Sequence, residues 1–209
     1  MTTNETTFFR DVGPFELLRT TVLPRLIEAR RRVRRLKFWY AATATGQEPY
    51  SVAMLIDDAF PELARWDIEH LATDISRKSL DRAAAGRYSQ LEVNRGLPAR
   101  LLVKYFEKRG LDYCLRERIR RSVTFRELNL NARWPWLPTF DVVFLRNVMI
   151  YFDIESRRRI LSHVHGVLRA DGALFLGGAE TTINLDDRFT RVPAANAGCY
   201  QPLSDLPAK

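Results

Sequence analysis

Short apolar runs, each too short for a helix and each followed by a helical pattern, constrain this chain more than any other feature. LKFWYAA (36–42), VVFL (142–145) and ALFLGG (173–178) are the clearest. WDIEHLATDIS (66–76) adds a run that is apolar at Ile68 and Leu71 and ends at Asp74. Between and around them lie segments with apolar spacing near the helical period: 15–35 with Pro24 breaking or starting a segment, 48–60 with Pro49 in its first turn, 76–86 closed by Gly86, 98–110, and 153–172 stopped by Asp171-Gly172. Buried strands alternating with helices predict a doubly wound, mostly parallel α/β sheet. The segment 112–128 differs, because apolar and charged residues alternate at Tyr113, Leu115, Ile119, Val123 and Phe125. That period predicts a small antiparallel element with one wet face, inserted at about 111–128. The tail is expected to end in a strand at Cys199-Tyr200.

With 209 residues the chain has room for one α/β domain with a sizeable core. No stretch approaches the roughly 20 apolar residues of a membrane-spanning helix, so membrane insertion is not expected. The first residues lack the basic and apolar regions of a secretory signal. Two cysteines, Cys114 and Cys199, do not make a disulfide framework, and the expected location is the reducing cytoplasm. The three histidines, His70, His163 and His165, show no metal-ligand spacing, so no metal is expected. The net charge of +8 is carried by arginine clusters at 30–35, 116–121 and 157–159. Such clusters read as a solvated face or as a surface for acidic partners. No aromatic stacking platform or recognised motif points to nucleic acid.

In a doubly wound sheet, ligands bind at the carboxyl ends of the strands. The first strand ends in AATATG (41–46), where small residues admit a ligand to the backbone and Gly46 allows a tight turn. The dinucleotide fingerprint G-x-G-x-x-G is missing, and Glu48 stands where a pyrophosphate would otherwise sit. A carboxylate there repels a dinucleotide and attracts an ammonium group, although Glu48 also reads as an ordinary first-turn helix acid. Asp74, after the second strand, is placed to read a ribose diol, or to cap the next helix. Asn129 and Asn147 lie at two further strand ends. With no P-loop present, two such acids and a small-residue turn fit S-adenosylmethionine better than NAD or ATP.

ETTFFRD (5–11), ATGQEPYSVAM (44–54), ATDIS (72–76), NLN (129–131), FDVVFLRNVMIYF (140–152) and LFLGGAET (174–181) occur in that order. Together they resemble the catalytic domain of CheR-type chemoreceptor glutamate methyltransferases, over about residues 4–200. The resemblance implies a Rossmann-like methyltransferase fold and S-adenosylmethionine-dependent esterification of glutamate side chains on chemoreceptor signalling helices, in chemotaxis adaptation. It implies that Asn4, Thr6 and Arg10 contact the cofactor and line the reaction centre. Glu48 would hold the methionine amine, Asp74 the ribose, and Asn129 with Leu130 the adenine. Arg146 and Asn147 would complete the pocket, with Arg10 and Tyr151 as the catalytic pair and the protein a monomer. Without the resemblance, Arg10 reads as a salt bridge with Asp11 and Tyr151 as a strand-end core aromatic.

The sequence departs from the family in places. The match starts so near the first residue that the family's N-terminal helical domain is expected to be absent. TAT (43–45) stands where relatives tend to have Cys-Ser-Thr-like residues, and Gln47 replaces the commoner acid. GGAET (177–181) stands where they tend to show a histidine-serine pair before the acid. In some members the antiparallel subdomain grips a C-terminal pentapeptide tether of the receptor by adding a strand. The short turn RGLDY (109–113) resembles the tether-independent members instead. Two other readings keep the fold: a methyltransferase acting on a different carboxylate, and a cofactor-binding interaction module without turnover.

Overall fold

Proline 24 decides how the chain begins to fold. The computed structural model describes residues 6–193 and 197–203. Its first helical path runs through α1 (Val12–Leu17), a π-helical turn at Leu18–Val22 and α2 (Leu23–Ala29), with Pro24 in the first turn of α2. Proline offers no N–H and crowds the preceding carbonyls, and the wider π turn just upstream accommodates it. The chain then alternates between layers: β1 (Arg35–Ala41), α3 (Gln47–Ala59), β2 (Asp67–Asp74) and α4 (Arg77–Ala85). A smaller excursion follows, comprising β3 (Arg87–Ser89), α5 (Gln90–Asn94), α6 (Ala99–Tyr105), β4 (Phe106–Arg109), β5 (Asp112–Leu115) and α7 (Glu117–Arg120). The remaining elements are β6 (Val123–Glu127), β7 (Phe140–Leu145), α8 (Ile154–Val167), β8 (Leu168–Leu176), β9 (Phe189–Arg191) and β10 (Cys199–Pro202).

Among the described residues the main sheet has seven strands in the order β6-β2-β1-β7-β8-β10-β9. The strands from β6 to β8 are parallel to their neighbours, and β10 runs antiparallel to both β8 and β9. Helices cover both faces, which is why the central strands read as near-continuous apolar runs. Side chains alternate between the layers. Phe38, Tyr40, Phe144 and Phe175 pack toward α1–α3, whereas Trp39, Val143, Leu145 and Leu174 pack toward α8. Phe144 stacks between Tyr40 and Phe175, with ring centroids 5.3 and 4.8 Å away.

Three expectations are corrected. The inserted antiparallel subdomain is built from β3, β5 and β4, spanning Arg87 to Leu115 rather than 111–128. The second half of the alternating segment is instead α7, which buries Ile119, followed by β6, which pairs in parallel with β2. Alternation reports one wet face, and a strand at the edge of a parallel sheet has one too. The helix expected over 98–110 ends at Tyr105, because Phe106–Arg109 pairs with β5. Helix α8 stops at Val167, and Asp171-Gly172 lies inside β8, at an irregular register between Phe140 and Val142 of β7.

The arginine cluster at 30–35 is partly structural. Arg30 bonds Asp141 at 2.8 Å and Asp171 at 2.6 Å, and Arg35 bonds Asp67 at 2.7 Å. These contacts tie α2 and β1 to the amino-terminal edge of the sheet, opposite the strand ends that carry the site. Phe144→Ala is expected to destabilise the protein by about 3–5 kcal/mol, because the fully buried ring leaves a cavity between two others. Urea denaturation measures this, and a loss under about 1 kcal/mol would mean that the layer collapses around the gap.

Candidate active site

The strand order reverses between β1 and β7, which opens a crevice at their carboxyl ends. After Ala41 the backbone turns through positive φ at Ala42 (59°), Ala44 (51°) and Gly46 (89°). Left-handed alanines are unfavourable and must be held in place. Here Thr43 N–H donates to Thr73 O at 2.9 Å, Ala44 N–H to Asp74 Oδ2 at 2.8 Å, and Tyr88 OH to Thr45 O at 2.8 Å. Glycine is required at 46 for space as well as for φ, since a Cβ would lie 2.9 Å from that of Ala83. The hydroxyl of Thr43 is buried without a hydrogen-bond partner.

Asp74 therefore has a structural duty. Its Oδ2 holds the β1 turn and its Oδ1 accepts from Ser76 N at 2.9 Å. It does not cap α4; Ser76 does, accepting from Ser79 N. Asn129 and Leu130 follow directly, because Leu128 N–H donates to Asp74 O at 3.0 Å. Asn129 is exposed and its Oδ1 accepts from Asn131 N at 2.9 Å, while Leu130 is buried.

Arg146, just past β7, joins three segments that are remote in sequence. It donates to Glu48 Oε1 at 2.6 Å, to Arg10 O at 2.9 Å and to Asp11 Oδ2 at 2.8 Å. Its side chain is 2% exposed and that of Glu48 is 13% exposed. Breaking such a pair strands a buried charge. Burial pushes the Glu48 carboxyl up from its ordinary value; Arg146 and then Arg10 pull against that rise, and the charge of Glu180 adds to it. Arg146 thus reaches Glu48, and Asp11 pairs with Arg146.

The FFR segment reaches this place by packing. Phe8 is fully buried, with its ring 5.0 Å from Tyr88 and 5.7 Å from Phe106. Phe9 N–H donates to Ser51 Oγ at 3.0 Å, and that hydroxyl donates to Gln47 O at 2.6 Å. Arg10 and Thr6 are half-buried, and Asn4 lies outside the described residues.

Glu180 was not singled out by the sequence. Its Oε1 accepts from Val148 N at 2.9 Å and Met149 N at 2.7 Å; its Oε2 accepts from Asn147 N and Gly177 N, both at 2.7 Å. One buried carboxylate thereby fixes the turn after β7, including Asn147 at φ 58°. The only advance signal is an acid in the otherwise small and apolar LFLGGAET. Tyr151 ends that turn in a 3-10 segment (Met149–Tyr151) and is 52% exposed, so it is not a core aromatic. A cavity of about 690 Å³ opens beside these groups, lined by Asp11, Arg146, Glu180, Thr181, Arg191 and Tyr200 among others.

The donor set fits a sulfonium nucleoside. A desolvated acid stands just after the β1 turn, a second acid at the end of β2, an apolar residue with an amide follows β6, and the Thr43 hydroxyl on the β1 turn is buried and unpaired. Among the described residues no cluster of His, Cys, Asp and Glu is arranged to hold a metal. Glu180→Gln replaces one acceptor oxygen by an amide that faces two N–H donors. A stability loss of about 1–3 kcal/mol for each stranded donor is expected in denaturant titration, and an unchanged midpoint would contradict the clamp.

Comparisons with known proteins agree with this geometry. The family model described as CheR methyltransferase, SAM binding domain, matches residues 4–197. The chain is 43% identical over 206 residues to chemotaxis protein methyltransferase 1 of Pseudomonas aeruginosa, covering 96% of this chain and 74% of the relative. It is 39% identical to chemotaxis protein methyltransferase Cher2 of Pseudomonas putida, with the same coverage. Among solved structures, TrmN from Thermus thermophilus matches with a TM-score of 0.51 at 13% identity, over 90% of this chain and 48% of that one. A TehB-like SAM-dependent methyltransferase from Corynebacterium glutamicum matches with a TM-score of 0.50 at 14% identity, over 88% of this chain and 89% of that one. At such identities the solved structures share the fold alone. The family match and the curated relatives carry the conclusion: this chain belongs to the CheR methyltransferase family, as an S-adenosylmethionine-dependent methyltransferase of chemotaxis.

Proposed function

We propose that the methyl acceptor is the side-chain carboxylate of glutamates on the cytoplasmic helices of chemoreceptors, which become methyl esters. The observation that carries this reading is that, among the described residues, the three histidines are packed into the fold and Glu48 is held by Arg146. His70 is buried in β2 beside Tyr40, and burial drives it down to about 3. His163 packs on Trp134 and His165 on Phe189, both along α8. Glu48 is committed to Arg146. A glutamate carboxylate, with a reference pKa near 4.3, is already ionised at neutral pH and needs no base.

S-adenosylmethionine, when bound, supplies an electrophilic methyl carried by a sulfonium. Toward such a group an already ionised carboxylate would need no deprotonation, so no residue of this chain would have to move a proton. The protein's task is orientation in line. Glu48 holds the amine and Asp74 the ribose. Asn129 and Leu130 flank the adenine, and Asn4, Thr6 and Asn147 line the remaining wall. Arg146 keeps Glu48 in place. Arg10 orients the incoming carboxylate by a charge-assisted hydrogen bond, and Tyr151 supplies a second contact. In this reading the chain is one methyltransferase domain with an inserted antiparallel sheet, monomeric and cytoplasmic. Its short β4–β5 turn suits action without a receptor tether. Among the described residues no helix is long and apolar enough to cross a membrane.

Calorimetric titration with S-adenosylhomocysteine is expected to give micromolar binding that Asp74→Ala abolishes. Receptor fragments incubated with the protein and S-adenosylmethionine should then gain base-labile methyl groups. Arg10→Ala and Tyr151→Phe should lower turnover with the cofactor still bound, and unchanged turnover in both would remove their assignment. A second expectation concerns pH. The amine is attracted only by ionised Glu48, and burial raises the Glu48 carboxyl above its ordinary 4.5. Affinity for S-adenosylhomocysteine should therefore weaken on acidification, starting above the usual glutamate range. Glu48→Gln should bind weakly with little of that dependence. An equally steep profile in the variant would show that another group titrates.

A further inference from the structure

The cavity beside Arg146 carries one charge that the protein leaves unanswered. Its lining includes two carboxylates, Asp11 and Glu180, and two guanidiniums, Arg146 and Arg191. Asp11 is paired with Arg146, which also holds Glu48. Glu180 accepts four backbone N–H bonds, which fill the roughly four lone-pair sites of a carboxylate. Arg191 is different. It is exposed at the end of β9, and among the described residues its guanidinium has no ion pair or hydrogen bond. Two hydroxyls stand beside it on the cavity wall, those of Tyr200 and Thr181. Arg191 and Tyr200 are directly opposed on β9 and β10, so their side chains share one face of the sheet. Tyr200 is 3% exposed, and its OH lies 3.4 Å from Thr181 Oγ1, which already accepts from Ile183 N–H at 3.1 Å. Only one of the two hydroxyl protons can serve their mutual contact, which is long for an O–H···O bond. Whichever group donates, the other proton is left over.

We infer that Arg191, with the Tyr200 and Thr181 hydroxyls, forms a second carboxylate site, which takes an acidic side chain of the acceptor helix about one turn from the glutamate being methylated. This site rests on the carboxylate-acceptor reading above. A guanidinium and a spare O–H are donors, so the group they take is a negatively charged acceptor. Sheet order gives that group to the methyl acceptor and not to the cofactor. Glu48, Asp74 and Asn129, the residues proposed for the cofactor, follow or end β1, β2 and β6, on one side of the switch point. The cavity is built from the other side: Arg146 follows β7, Leu176 ends β8, Arg191 ends β9 and Tyr200 lies in β10. It still adjoins the reaction centre, since Asp11 lines it and Arg146 donates to Arg10 O at 2.9 Å. At about 690 Å³ it is in the range that takes a small ligand whole, and so has room for more than one side chain. On a helix, residues three or four positions apart share a face and lie about one 5.4 Å turn from each other. A carboxylate so placed enters the same cavity as the methylated glutamate and meets Arg191. Glutamates with such a neighbour are therefore methylated faster than those without.

The test is Arg191→Gln, which removes the charge and keeps a polar side chain. Arg191 is exposed and belongs to neither the proposed cofactor set nor the catalytic pair, so affinity for S-adenosylhomocysteine and the unfolding midpoint should stay as in the parent. Methylation of receptor cytoplasmic fragments, at a glutamate with a second acid one turn away, should lose about tenfold in kcat/KM, mainly through KM. Replacing that second acid by its amide should cost the parent about as much and the variant little further. A charge swap separates recognition from packing. Arg191→Glu should prefer the fragment whose flanking acid is replaced by lysine, the reverse of the parent's order. Equal kinetics of parent and Arg191→Gln on the acid-flanked fragment would overturn the site while leaving the acceptor reading intact. Weaker S-adenosylhomocysteine binding in Arg191→Gln, with no effect of the flanking residue, would overturn it by giving Arg191 to the cofactor's own carboxylate. Cofactor binding with no methyl ester on any receptor fragment would overturn the acceptor reading, and the second site with it.

Discussion

The site is organised around a buried guanidinium. Arg146 leaves the end of a central strand, where it is almost wholly withdrawn from water, and its donors go to the first turn of α3 and to the segment before α1. Charge taken out of water is tolerated only when paired, so the position of Arg146 dictates where Glu48 and Asp11 must be. Arg10 is carried along, because its own carbonyl is one of the acceptors. This places a cation and a desolvated carboxylate beside each other at the topological switch point. One arrangement therefore serves both packing and the recognition of a ligand that bears an ammonium group.

Around that centre the backbone is held in conformations it would not choose alone. Ala42, Ala44 and Asn147 all have positive φ, on either side of the same crevice. Each is fixed by groups from elsewhere: the β1 turn by Thr73, Asp74 and Tyr88, and the β7 turn by four N–H bonds to Glu180. Strain of this kind survives only where its surroundings over-determine it. The result is a rigid pair of turns with small side chains, against which a nucleoside can lie. The charge of Glu180 also raises the Glu48 carboxyl, so the clamp bears on the recognition acid.

Much of this was legible in the residues, and the misses have physical causes. The central strands were plain because helices cover both faces and leave apolar runs. Gly46 was read correctly, since a tight turn with positive φ has few other solutions. The alternating segment misled because α7 and the parallel strand β6 mimic the pattern of antiparallel strands: β6 buries Val123 and half-buries Phe125 while Thr124 and Arg126 stay exposed. The end of α8 was misplaced because Asp-Gly marks a turn locally, whereas β7 offers Leu168 a partner three residues earlier. Glu180 was passed over because an acid that binds only backbone N–H groups has no side-chain partner to betray it.

The sequence by itself determined the central alternation of strands and helices, the acids at two strand ends, and, through joint spacing of its motifs, the family. Those features are local or serial: periodicity, turn chemistry and the order of short words along one chain. Tertiary structure alone decided what the charged residues do. That Arg146 reaches Glu48 and Asp11, and which loop Glu180 secures, depend on groups brought together from far apart in the chain, up to 136 positions between Arg10 and Arg146. No local pattern encodes such a pairing, because it is chosen by the cost of leaving a buried charge without its partner.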